Sequence, residues 1–237
     1  MSGEQQDGGA RALYAQLLGA VGRRAAHIEA RQGAHMRCAA GCHACCAPGL
    51  SVSLVEALSL ADHLAARPEV ARAALELEGE DPHRGARCAF LSARGECVVY
   101  EARPLVCRTH GAPLLVPVEA LEPEGGAGEE SGALALTACE LNFTEEGALE
   151  GVGEGEWHDA RQLDQVLALL SARAAQGGAQ GGAQGRAQGG AQGGARRAAS
   201  DRWALRPSAL MGEGGPLAPA PQDLGARAAN DMKREET

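Results

Sequence analysis

The sequence predicts a small irregular α-rich domain, α or α+β with minimal strand, built around a cysteine-ligated metal core and followed by a disordered C-terminal tail. Three observations lead there. Half of the 8 cysteines are crowded into Cys38-Ala39-Ala40-Gly41-Cys42-His43-Ala44-Cys45-Cys46, with Cys88, Cys97, Cys107 and Cys139 spread behind them. Aromatic residues make up only 3% of the chain, so the apolar core is small and a bound metal would supply stability that the core lacks. The last third is dominated by Gly and Ala, which bury little surface.

The elements follow in order. Residues 1–10 are polar and Gly-rich and are expected to be disordered. Arg11 to Arg31 has helical periodicity, with Leu13, Leu17, Val21 and Ile28 on one apolar stripe and Gly33 as a stop. The first cysteine cluster then falls on a loop, where Gly41 and Pro48-Gly49 permit tight bends. Ser53-Leu54-Val55-Glu56 is a capping box that opens a helix to about Ala66, with Leu54, Leu58, Ala61 and Ala65 on one face. Pro68 starts another helix to about Glu78, and residues 79–85 are a polar loop.

The segment Arg87–Gly111 carries three more cysteines. Phe90-Leu91 and Val98-Val99-Tyr100 flank Gly95, a pattern that fits a small hairpin or irregular loops. Arg103-Pro104 imposes an extended step before Cys107. Leu114–Val118 and Leu134–Thr137 read as short strands on either side of a Gly/Glu loop. Asp159 to Gln162 caps a helix to about Arg173, burying Leu163, Val166, Leu167 and Leu170. Beyond it, Gln-Gly-Gly-Ala recurs with period four from Gln176 to Ala195, the composition of a flexible linker. The end of the chain reads as disordered, with a short docking helix near Ser200–Leu205 as the alternative. The domain division is therefore 1–10, 11–173 with its motif core at 38–143, and 174–237.

The formal net charge of −9 argues against general nucleic-acid binding, which depends on neutralising phosphates. No apolar run reaches the length of a membrane span. The N-terminus lacks the basic-then-apolar pattern of a secretory leader, so the expected compartment is the cytoplasm, where thiols stay reduced. This argues against four disulfides and for a metal.

The spacing C-x3-C-x2-C-C, then C-x8-C-x9-C and a final cysteine, lets short-range sulfurs share an ion and draws partners from distant loops. The candidate ligands are Cys38, Cys42, Cys45, Cys46, Cys88, Cys97, Cys107 and Cys139. Thiolates select zinc, Cu(I) or iron–sulfur clusters, and the spacing matches neither a zinc ribbon nor a ferredoxin run. Two four-thiolate sites, one cluster with spare thiols, and a site that includes histidine all remain open. His43 and His110 are either ligands or plain loop histidines. Arg37, Arg87, Arg103 and Arg108 lie near cysteines and would offset thiolate charge. Glu101 and Arg103 either contact a substrate or pair internally to fix their loop. The adjacent Cys45 and Cys46 admit a further reading, in which one is a reactive thiol of lowered pKa. No catalytic set stands out.

Taken together, Cys38-x3-Cys42-x2-Cys45-Cys46, Cys88-Ala89-Phe90-Leu91, Cys97-x2-Tyr100-Glu101-x-Arg103-Pro104-x2-Cys107-Arg108 and Cys139-Glu140-Leu141-Asn142-Phe143 resemble the YkgJ-like cysteine-cluster family. The resemblance covers roughly residues 38–143 and implies chelation of zinc or iron. A relative by motif, the flagellin lysine-N-methylase, implies an alternative as an iron–sulfur or protein-modifying enzyme. No Gly-rich loop between strand and helix marks a methyltransferase domain here. A metal chaperone or redox sensor is a further alternative, and the protein partner stays open.

Overall fold

The computed structural model describes residues 3–46, 50–80, 87–121, 132–184, 203–204 and 207–211. Helix α1 spans Gly3–Gln32 and α5 spans Ala160–Gln184, and the two pack against each other as the longest pair in the molecule. They run antiparallel. Ala10 and Ala174 share one apolar cluster, while at the far end Arg31 and Gln32 both reach Glu156. Between them in sequence lie β1 (Ser51–Val52), α2 (Leu54–Ala66), α3 (Pro68–Glu80), α4 (Leu105–Thr109), β2 (Leu114–Pro117), β3 (Leu134–Thr137) and β4 (His158–Asp159). The chain closes with β5 (Trp203–Ala204) and α6 (Pro207–Met211).

The capping box forms. The Glu56 carboxylate accepts the Ser53 amide at 2.9 Å and its hydroxyl at 2.7 Å, and a third donor, the Leu105 amide, arrives at 3.0 Å. A carboxylate this deeply buried is tolerable because each oxygen is engaged. Glu56 thus joins the first turn of α2 to the first turn of α4. Asp159 caps α5 through the Gln162 amide at 2.9 Å.

Helix α2 lies between two apolar clusters. One joins Ala10, Tyr14 and Val21 of α1 to Leu54, Val55 and Leu58 of α2, Leu105 of α4, and Leu167, Leu170 and Ala174 of α5. The other joins Val52, Ala57, Leu60, Leu64, Ala74, Phe90, Val99 and Leu210. A single-stripe reading of α2 therefore captured half of its buried surface. Leu60 and Leu64 are buried on a second face, whereas Ala65 is exposed. On α1 the expected stripe holds at Leu17, Val21 and Ile28 and slips by one residue only at its start, where Leu13 is 39% exposed and Tyr14 is 2% exposed. Tyr14 wins because it meets α4 and α5, which the local pattern does not reveal.

The expected strands are present, in sheets small enough for a mainly helical fold. Three strands are ordered β3-β2-β4, with β2 antiparallel to β3 and parallel to β4, while β1 pairs antiparallel with β5. The expected hairpin around Gly95 is tight. Leu91 bridges Cys97, and Val98 donates to Phe90 O at 3.0 Å.

Both long helices outrun their expected limits: α1 begins before Arg11 and α5 continues past Arg173. Contacts between the two, among them Ala10 and Ala174 in one cluster, offset the helix cost of the glycines near Ala10. At the C-terminus the suggested docking helix is instead a strand at Trp203–Ala204 and a helix at Pro207–Met211, whose Leu210 is buried in the second cluster. The rest of the region read as a disordered tail, 185–202, 205–206 and 212–237, lies outside the described residues. Among the described residues, no helix is long and apolar enough to cross a membrane.

Candidate metal centre

The eight cysteines come from four segments, and all are free thiols. Cys38, Cys42, Cys45 and Cys46 lie on the loop after α1, Cys88 and Cys97 flank the hairpin, Cys107 is on α4, and Cys139 follows β3. Two successive turns fold the first loop, closed by Cys42 N–H to Ala39 O at 3.0 Å and Cys46 N–H to His43 O at 2.9 Å. Gly41 takes a left-handed φ of 85° between them, a conformation that few side chains adopt.

Two links tie this loop to the remaining cysteines. The Cys88 amide donates to Cys46 O at 3.0 Å. On the other side, the buried Asn142 side chain donates to the Cys38 sulfur at 3.3 Å and to Gly111 O at 2.5 Å, and accepts the Arg37 amide at 2.7 Å. The Asn142 amide in turn reaches Cys139 O at 2.8 Å. Phe143, next in sequence, holds a φ of 53°, donates to His35 O at 2.8 Å and stacks on the His35 ring. Gly111 closes this side: a Cβ there would run into the Cys38 sulfur, so a larger residue would have to displace that side chain.

Burial and mutual repulsion hold the inner thiols protonated. Burial, and then the thiols of Cys88, Cys97, Cys46 and Cys45, push Cys107 up to about 12. Burial, followed by Cys88 and Cys97, raises Cys46. Burial, followed by Cys46, Cys139 and Cys38, raises Cys45. Burial also raises Cys88 and Cys97. Both Cys45 and Cys46 are thus raised in the metal-free chain, where they sit among other thiols in a partly desolvated site; the reading of one of them as a thiol of lowered pKa concerns a thiol beside a bound metal.

The nearby charged residues separate by role. Arg103 lies 3.5 Å above the Tyr100 ring and eases the ionisation of Cys97 and Cys46. Glu101 pairs with Arg67 at 3.4 Å, not with Arg103, so the internal tie that fixes this loop runs to the end of α2. Arg108 donates to Arg103 O at 2.6 Å and to Glu101 O, bracing the bend before α4. The Arg37 guanidinium turns back to Ala34 O at 3.1 Å. His43 Nδ1 stands 2.9 Å from Gly41 O and serves its own turn.

Two contributors escaped the sequence reading. Asn142 was visible only as part of a motif, three residues after Cys139. Tyr14 looked like any helix residue, yet its phenol is raised by burial and by Glu56, with Arg108 and Cys107 as further electrostatic neighbours.

Among the described residues, no three Cys, His, Asp or Glu side chains stand together in a metal-holding group as placed. The donor set is nonetheless all sulfur, the chemistry that suits zinc and iron. Residues 37–126 match the CxxCxxCC family model, described as "Putative zinc- or iron-chelating domain". The match takes in every cysteine from Cys38 to Cys107; Cys139 and Asn142 lie beyond it. Comparison with curated proteins and with solved structures returned no match. The match over residues 37–126 accordingly supports binding of zinc or iron.

Proposed function

We propose that this protein binds zinc or iron through Cys38, Cys42, Cys45, Cys46, Cys88, Cys97, Cys107 and Cys139, in a reducing compartment such as the cytoplasm. The metal-binding unit is centred on residues 11–173, and Ala174, β5 and α6 from the segment that follows pack into it. The observation that carries this reading is that free thiols from four separate segments become electrostatic neighbours at one end of the fold. An unliganded cell of thiols repels itself as it ionises. A divalent metal removes that repulsion and exchanges protons for metal–sulfur bonds. The metal supplies cross-links between loops that otherwise share few apolar contacts. Asn142 steadies Cys38, and Arg103 offsets charge at Cys46 and Cys97, as outer partners of a ligand shell do.

The test is metal content by mass spectrometry on anaerobically purified full-length protein, with an absorption spectrum of the same sample. Stoichiometric zinc without colour assigns a structural or transport role. Iron with matching sulfide and a visible charge-transfer band assigns an iron–sulfur cluster. Protein that stays metal-free under both zinc and iron loading overturns the reading.

A further inference from the structure

We propose that the eight cysteines form two four-sulfur sites set back to back: an inner one from Cys46, Cys88, Cys97 and Cys107, and an outer one from Cys38, Cys42, Cys45 and Cys139. The inference rests on the reading that these thiols hold metal, and adds how they divide.

Packing separates the two sets. Cys88, Cys97 and Cys107 lie against the apolar cluster of Leu60, Phe90 and Val99. Cys46 joins them through the backbone bond from Cys88 at 3.0 Å. Neither Cys46 nor the other four pack on that cluster, so the backbone bond alone places Cys46 with the inner set. Cys38 and Cys139 are instead brought together by one residue, Asn142, whose side chain holds the Cys38 sulfur and whose amide holds Cys139 O. Cys42 and Cys45 follow Cys38 on the same pair of turns, and Cys38 and Cys42 are exposed.

Adjacent residues cannot easily direct both side chains at one ion, so the Cys45–Cys46 pair becomes a wall between two sites.

The division has a functional consequence. The inner site is walled by apolar side chains and holds its metal slowly exchanging. The outer site opens to solvent at Cys38 and Cys42, and its metal exchanges with chelators and with thiol-bearing partners.

The experiment uses reduced full-length protein loaded anaerobically with zinc alone. Two zinc per chain are expected, one removed quickly by a chromogenic chelator and the other at least ten-fold more slowly. Cys38→Ser and Cys42→Ser are expected to lose the fast zinc only and to keep the circular dichroism spectrum. Cys97→Ser is expected to lose the slow zinc; should it fail to fold, cadmium-113 nuclear magnetic resonance of the unaltered chain replaces it, with two four-sulfur resonances expected and only one lost in Cys38→Ser. A single metal lost altogether in Cys38→Ser, or one zinc per chain, overturns the division and leaves metal binding intact. No zinc at any loading overturns the division into two zinc sites, and absence of both zinc and iron after separate loading overturns the metal reading itself.

Discussion

The two apolar clusters share helix α2 but are completed by different materials. On the α1–α5 side every wall is a helix, and the buried residues are aliphatic side chains plus Tyr14. On the other side only α3, through Ala74, adds a further long helix; the remaining walls are β1, the hairpin, the turn at Val99 and α6, with Cys88, Cys97 and Cys107 in contact with the apolar residues. Long helices satisfy their own backbone and bring whole stripes to a contact. Turns do neither, so a cluster bounded by turns needs cross-links from elsewhere. On this contrast the cysteine side is expected to depend on the proposed metal more than the helical side does.

Metal removal gives the largest expected effect. A structural zinc site contributes on the order of 10 kcal/mol to the fold that holds it. Chelation under reducing conditions is expected to unmask amides at residues 87–111 to hydrogen exchange, while α1 and α5 stay protected over their buried stretches. Equal loss of protection on both sides would show that the two clusters are one cooperative unit.

Core truncation sharpens the same point. Leu64→Ala, fully buried in the cysteine-side cluster, and Leu170→Ala, on the helical side, are each expected to cost about 2–5 kcal/mol. Excess zinc is expected to restore the melting temperature of the first variant and not of the second, because a ligand stabilises only the unit that binds it. Identical rescue of both would erase the distinction.

Asn142→Ala removes the bonds to the Cys38 sulfur, the Arg37 amide and Gly111 O. It is expected to weaken one metal about 10–100-fold, the usual effect of losing an outer partner, as read by chelator competition. Unchanged affinity would reduce Asn142 to a loop brace.

The smallest effect is on the helical side, in acid. Burial, with Arg24 nearby, lowers His158 from 6.5 to about 4, and its Nε2 lacks a hydrogen bond. Bonds from Arg31, Gln32 and the Gly153 amide lower Glu156 from 4.5 to about 2. In both cases the unfolded chain binds the proton first, so stability falls as pH falls: from 6.5 to 4 through His158, then from 4.5 to 2 through Glu156. Thermal melts across this range are expected to show both steps. His158→Leu is expected to abolish the upper one and to leave stability at neutral pH equal or higher, since it removes a buried unpaired nitrogen. A persistent upper step would assign it to another group.

What the sequence made legible was local. The Ser53–Glu56 box, the Asp159 cap, the strand at Leu134–Thr137 and the hairpin at Gly95 each depend on residues a few positions apart, and each formed where expected. The cysteine inventory was legible as well, because thiol crowding is a compositional fact. The partner of Glu101 was not: Arg67 lies 34 residues away and meets it only where α2 ends.

The sequence by itself therefore determined the helical class, the bounds of α2 and the starts of α3 and α5, and the inventory of cysteines, since periodicity and capping act within a few residues. Tertiary structure alone decided that α2 buries two faces, that Tyr14 displaces Leu13, and that Asn142 reaches Cys38 across 104 residues of chain. Those contacts depend on how elements pack, and packing complementarity leaves no periodic trace in the chain.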